Sequence, residues 1–288
     1  MNVSRLTEHP LAGLRVMVTR PAREKGTGPI CQDGPEGASH KLDLSPFPAE
    51  LAEQLRQLGA EVVAQPAIRI EPPADWRPVD AALARFGEFD WLVFSSANGV
   101  RYLCDRLREK EIGPLSIKLA AIGPGTADEL AHYGLHADLV PEQFRAEALA
   151  EALLGVAPGR RFLLARASRG REVLAEQLRA AGAAVEQIVV YTSTDVERSD
   201  PTVADLLRAG RIDWITVTSS AIARSLAGLF GDDLRRAKLA SISPLTSGVL
   251  CALGYPPAVE AAQYTMAGLV AAIAASSTRR ENRDCRSS

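Results

Sequence analysis

The chain has 288 residues, 47% of them apolar, and a net charge of −2 at pH 7. That length suggests about two domains with ordinary packed cores, and the balanced charge lacks the basic face that nucleic-acid binding needs. No apolar run approaches the roughly 18 residues of a membrane span, and the N-terminus lacks the apolar core of a signal peptide.

In chain order, short runs rich in apolar and β-branched residues alternate with amphipathic stretches. The runs are RVMVT from Arg15, WLVFS from Trp91, KLAAIG from Lys118, RFLLA from Arg161, EQIVVY from Glu186, WITVT from Trp214 and KLASIS from Lys238. They lack strict polar alternation, which suits strands covered on both faces. Between them lie helical patterns such as Ala49–Leu58 and Arg171–Ala180; Leu51, Leu55 and Leu58 form one apolar stripe. Gly59 and Gly182 follow these two helices in the place of C-terminal caps. The alternation predicts an α/β fold with parallel sheets flanked by helices. Residues 22–49 are rich in Gly, Pro and polar residues and read as a mobile insertion without a core. Residues 276–288 read as a disordered tail.

Half of this pattern repeats the other half. LAEQLRQLGAEV from Leu51 and LAEQLRAAGAAV from Leu174 agree at nine of twelve positions, 123 residues apart. Asp90-Trp91 and Asp213-Trp214 keep that spacing, and IGPGTADELAHYGL (122–135) faces ISPLTSGVLCALGY (242–255) at 120. GLRVMVTRP (13–21) faces GRRFLLARA (159–167) at 146, so the first copy holds 23 extra residues before Leu51. The chain is a duplication with one insertion. Taken alone, the repeats suggest tandem domains divided near residue 155.

In open α/β sheets ligands bind beyond the carboxyl ends of the strands. Those ends are hydroxylic here: Thr19-Arg20, Ser95-Ser96, Gly123-Pro124-Gly125-Thr126, Thr218-Ser219-Ser220 and Ser243-Pro244-Leu245-Thr246. Each precedes a helix, whose free N–H groups and dipole welcome an anion; the plain alternative is that Ser and Thr cap those helices. Arg20, Arg101, Arg166, Arg169 and Arg171 near the strand ends are candidate carboxylate clamps, or simply solvated charge. Tyr191 closes the run EQIVVY; its plain reading is a packed strand-end aromatic. Four cysteines and four histidines show no metal-ligand spacing, so no metal site is expected, and GPGT is not a dinucleotide fingerprint. No Ser–His–Asp or Cys–His arrangement stands out.

The segments VTRP, LAEQLRQLGAEVVAQPAIRI, FDWLVFSSANGV, LAAIGPGTADEL, RGREVLAEQLRAAGAAVEQIVVYTS, DWITVTSSAIAR and ISPLTSGVLCALG together resemble the uroporphyrinogen-III synthase family, over about residues 13–275 apart from the insertion. The resemblance rests on their order and spacing rather than on one motif. It implies two similar α/β domains joined by two extended connectors, with a cleft between them. Residues 1–70 and 195–275 would form one domain, with the insertion 22–49, and 75–190 the other; IRIEPP and YTSTDVE would be the connectors. It further implies cyclisation of the linear tetrapyrrole hydroxymethylbilane to uroporphyrinogen III, with loss of water and inversion of the last pyrrole, through a spiro intermediate and without cofactor or metal. By the same resemblance Tyr191 and Thr246 are catalytic candidates. Arg20, Ser95, Ser96, Gly123, Thr126, Arg166, Thr218 and Ser219 are substrate-binding candidates. Ser243 and Leu245 stand where the family's turn commonly has Gly and Thr, which weakens a polar role at 245. A monomeric, cytoplasmic protein without nucleic-acid or membrane partners is expected. The competing readings are a non-catalytic two-lobed binding protein for a small polyanion and a nucleotide-dependent transferase, the latter without a phosphate-binding loop to support it.

Overall fold

The structure, a computed structural model, describes residues 9–19, 46–113 and 116–284, with side chains left aside at 46–49 and 278–284. Arg20 and residues 22–45 of the insertion lie outside the described residues. The chain divides into two compact units. A split unit comprises Met1–Arg69 and Thr194–Ser288, and a continuous unit comprises Ile70–Ser193.

In the split unit the strands are β1 (Arg15–Val18), β2 (Glu61–Ala64), β8 (Trp214–Val217), β9 (Lys238–Ser241) and β10 (Val259–Glu260), in the spatial order β10-β9-β8-β1-β2. All four neighbouring pairs run parallel. The crossover helix α1 (Pro46–Gln57) begins within the predicted insertion and buries Leu51 and Leu55 of the predicted stripe completely, while Leu58, just past its end, is partly buried against the same core. Its core partners include Val16, Val18, Trp214, Leu269 and Ile273. Helix α10 (Met266–Asp284) brings the last two of these and corrects one expectation: residues 276–284 continue the helix where the polar composition predicts disorder. Arg and Glu sustain a helix that is already nucleated by its packed first turns.

The second sheet belongs to the continuous unit apart from the first two residues of β3 and the last two of β7: β3 (Ile68–Glu71), β4 (Trp91–Phe94), β5 (Lys118–Ala121), β6 (Arg161–Ala167) and β7 (Ala184–Asp195) lie in the order β3-β7-β6-β4-β5. Strand β4 shows why these runs lack polar alternation. Leu92 and Phe94 join one cluster with Val100, Leu103, Leu130 and Leu163, while Trp91 and Val93 join another with Leu149, Leu153, Phe162 and Leu178. Side chains alternate between the faces of a strand, and both faces of this one are covered.

The duplication extends to backbone detail. Asp90 accepts the N–H of Arg161 at 2.8 Å, and its counterpart Asp213 accepts the N–H of Arg15 at 2.8 Å. Each carboxylate thereby ties the start of the neighbouring strand. Lys118 sits over the Trp91 ring at 5.5 Å, and Lys238 over Trp214 at 4.9 Å. Gly59 and Gly182 both take the left-handed backbone, with φ of 91° and 85°, that ends a helix and favours glycine. The bridge between Ala120 and Leu139 repeats the pairing of Ala240 with Val259.

Candidate functional site

The helices that follow the hydroxylic strand ends are α3 (Ala97–Glu109), α4 (Pro124–His132), α8 (Ser220–Phe230) and α9 (Pro244–Ala252). Ser96 caps α3 by accepting the N–H of Gly99 at 3.0 Å, and Ser219 caps α8 by accepting that of Ile222 at 3.2 Å. Serine is preferred there because its oxygen satisfies an orphan amide of the first turn. At α9 the cap is Ser243, which accepts the N–H of Thr246 at 3.4 Å. Thr246 stands one turn inside, buried, with its hydroxyl 3.3 Å from that of Ser243. Gly123 occupies the same position before α4 and offers no side chain. The ring of Phe144 explains the glycine: an added Cβ would lie 3.0 Å from Phe144 Cβ and Cγ. Thr126, the counterpart of Thr246, is buried in the first turn of α4.

Tyr191 lies where the pairing of β6 with β7 slips by one residue, so that Arg166 faces Val189 while Ala167 faces Tyr191. The slip makes consecutive residues, Val190 and Tyr191, both buried, and bulges of this kind re-aim a side chain. The Tyr191 ring stacks on Tyr102 with centroids 5.8 Å apart. Its hydroxyl is 3.0 Å from Ser96 Oγ. A phenol, a serine hydroxyl and a helix N-terminal amide therefore form one hydrogen-bonded chain. The adjacent Ser95 is exposed.

The arginine candidates are not free clamps. Arg166 donates to Glu172 and, at 2.8 Å, to Gln187, and this pairing holds the Glu172 carboxyl below its usual range. Arg171 donates to Glu147, Arg169 donates to Ser193 Oγ at 3.2 Å, and Arg101 forms a two-point pair with Glu129. The partners Glu129, Glu172 and Gln187 carry no motif of their own, so only packing reveals them. The cap role of Ser243, by contrast, was visible in its place before Pro244 at the start of a helix.

In the split unit the hydroxyl oxygens of Thr218 and Ser220 are buried and have no hydrogen-bond partner among the described residues. No group of three or more His, Cys, Asp or Glu suited to a metal occurs among the described residues. Burial pushes the Cys104 thiol up to about 12, so it stays protonated at neutral pH. No helix among the described residues is long and apolar enough to cross a membrane. Tyr191, Ser96, Gly123, Thr126 and Arg166 thus belong to the continuous unit, and Thr218, Ser219 and Thr246 to the split unit.

Comparison with known proteins gives the same answer at each level. Residues 49–271 match the family model described as uroporphyrinogen-III synthase HemD. The uroporphyrinogen-III synthase of Synechococcus elongatus is 32% identical over 279 residues, which cover 93% of this chain and 97% of that one. Two solved structures share the fold. A mutant uroporphyrinogen III synthase from Thermus thermophilus has a TM-score of 0.59 and 16% identity, covering 93% of this chain and 99% of its own. The uroporphyrinogen-III synthetase of Helicobacter pylori has a TM-score of 0.54 and 14% identity, covering 89% and 96%. The match runs from α1 into α10 and so takes in most of both copies of the duplication: the chain belongs to the uroporphyrinogen-III synthase family.

Proposed function

We propose that this chain closes hydroxymethylbilane into uroporphyrinogen III, with strand-end turns at helix N-termini holding the substrate. The family match over most of the chain carries this reading, and it makes the protein a lyase of class EC 4.2.1.75. The substrate bears eight carboxylates, and helix N-termini with hydroxylic first turns suit such an anion. Ser95 and Ser219, with the amides that follow Gly123, are the groups open to it; Thr126, Thr218 and Thr246 belong to the same turns, and Arg20, next after Thr19 in the sequence, is a further candidate. Arg166, held by Glu172 and Gln187, serves the site by orienting the end of β6.

Ring closure begins with cleavage of the terminal C–O bond, whose electron pair leaves on oxygen. Tyr191 is the proton source in this reading. A phenol has a reference pKa of about 10 and keeps its proton at neutral pH. Ser96, fixed by the Gly99 amide, sets the direction of the Tyr191 hydroxyl. Water departs and leaves a cationic azafulvene. A carbon of the last pyrrole attacks it through the spiro intermediate, and the proton finally lost from the pyrrole returns to the phenolate. Inversion is then a matter of holding one ring in the correct pose, an orientational effect that needs no strong base. The same reading takes the protein to be monomeric and cytoplasmic, the first of which size-exclusion chromatography with light scattering checks.

The deciding experiment is incubation with hydroxymethylbilane and separation of the product isomers. Isomer III is expected. Non-enzymatic closure gives isomer I, so isomer I alone from folded protein would overturn the assignment, and tight binding without turnover would favour a non-catalytic polyanion-binding protein.

A further inference from the structure

Arg101 and Arg224 occupy the same place in the two copies, each five residues after the serine that caps its helix. Their surroundings differ. Arg101 Nε and Nη2 each lie 2.7 Å from a carboxylate oxygen of Glu129 on α4, and the two side chains are only 13% and 6% exposed. The position matching Glu129, 120 residues on, is Val249 on α9. Helix α8 packs on α9 as α3 packs on α4, yet no acid among the described residues meets the second arginine. Arg224 is exposed and has no hydrogen bond or ion pair among the described residues. The turn before it also holds the two unpartnered buried hydroxyls, Thr218 Oγ1 and Ser220 Oγ. Their counterparts are Ser95, which is exposed, and Ala97, which has no hydroxyl.

We infer that Arg224 anchors a carboxylate of the tetrapyrrole at the N-terminal end of α8, beside the hydroxyls of Thr218 and Ser220. Helical side chains lean toward the N-terminus. Five residues of helix rise about 7 Å, a span that an extended arginine covers. The duplication kept the cation in both copies and kept its internal counter-ion in only one. A guanidinium and two unused hydroxyls near one helix start are a donor set that a carboxylate takes. The inference rests on the function proposed above and adds a binding residue to it.

The test is steady-state kinetics of the full chain with hydroxymethylbilane, comparing wild type, Arg224→Ala, Arg224→Lys and Val249→Glu. Arg208→Ala, an exposed change on α7 (Pro201–Arg208) of the same unit, controls for lost charge. Arg224→Ala should raise KM about tenfold, the scale of one charge-assisted hydrogen bond, with kcat changed less than about twofold. Arg224→Lys should recover part of the loss. Val249→Glu should rebuild the pair seen at Arg101 and Glu129 and raise KM in the same way, with no further effect in the Arg224→Ala background. Should Val249→Glu fail to fold, the two Arg224 variants still decide. Binding of the oxidised product, uroporphyrin III, followed by its fluorescence, separates this inference from the reaction: tighter binding by wild type than by Arg224→Ala, without isomer III, would keep the anchor and remove the reaction. Equal KM and equal affinity in wild type and Arg224→Ala would overturn the anchor.

Discussion

In the continuous unit the polar groups at the strand ends answer one another: Tyr191 meets Ser96, Arg101 meets Glu129, and Arg166 meets Glu172 and Gln187. In the split unit the matching turns leave Thr218 and Ser220 without a hydroxyl partner among the described residues and Arg224 exposed. Away from these turns the copies share much backbone detail. Asp90 and Asp213 tie their strands at the same distance, and Gly59 and Gly182 end their helices with the same backbone. Duplication has preserved what the sheets require and has diverged where helix N-termini face solvent. The divergence lies in pairing: one edge is organised by its own side chains, and the proposed carboxylate anchor lies at the other.

The largest way to break this comparison is to remove a partner from the organised edge. Glu129→Ala removes the carboxylate that pairs with the largely buried Arg101 guanidinium, and loss of one member of a buried pair costs about 3–5 kcal/mol. Denaturant unfolding should show that loss. Val249→Ala, at the same place in the other copy, should cost about 1 kcal/mol, since it trims only a half-buried side chain. Similar losses at both positions would mean that the ion pair contributes nothing special to the first.

Next in size is Tyr191→Phe, which keeps the stack on Tyr102 and removes only the hydroxyl. Turnover should fall by about 10²-fold, the usual scale for a positioned general acid, with little change in unfolding. The residue 123 positions earlier is Ile68, so the other copy has no such group. Full activity in Tyr191→Phe would return the proton-transfer role to solvent or substrate. Slow but clean formation of isomer III would assign water loss to the tyrosine and ring inversion to the shape of the site.

The caps sharpen the comparison at the level of about 1 kcal/mol. Ser243→Ala should lose that much through the orphaned first-turn amide. Gly123→Ala should lose a similar amount for another reason, the approach of the new methyl to Phe144. A double-mutant cycle distinguishes them: in a Phe144→Ala background the cost of Gly123→Ala should largely vanish, while that of Ser243→Ala should persist.

Much of the backbone was legible in the sequence because it depends on local signals. The seven apolar runs are strands, the Leu51 and Leu55 stripe is buried, and Ser96 and Ser219 cap their helices. What escaped depends on residues distant in sequence. Arg101 was visible as a charge near a strand end, but nothing in its neighbourhood pointed to Glu129, 28 residues on and one helix away. Phe144 over Gly123 is a packing event between a loop and a helix start, which periodicity does not encode. The helical course of 276–284 escaped because composition was weighed without the packed turns that precede it.

The smallest predicted effect tests the feature that the copies share. The Arg161 backbone N–H, and then the Arg160 side chain at 2.8 Å, hold the Asp90 carboxyl below the usual carboxylate range. A carboxyl whose pKa is lower folded than unfolded adds stability once it is ionised in both states, and loses that contribution as pH falls through the folded value. The unfolded reference is about 3.9. The stability gap between wild type and Asp90→Asn should therefore be constant from neutral pH to about pH 5 and close progressively below about pH 4. Arg160→Ala should reduce the gap only slightly, because the backbone N–H is the larger cause and the arginine head is well exposed. Thermal unfolding from pH 7 to pH 3 checks both. A gap equally wide at pH 3 and pH 7 would show that Asp90 ties the strand by shape and hydrogen-bond geometry rather than by charge, and Asn at this position, and by extension at Asp213, would then lack only the right acceptor orientation.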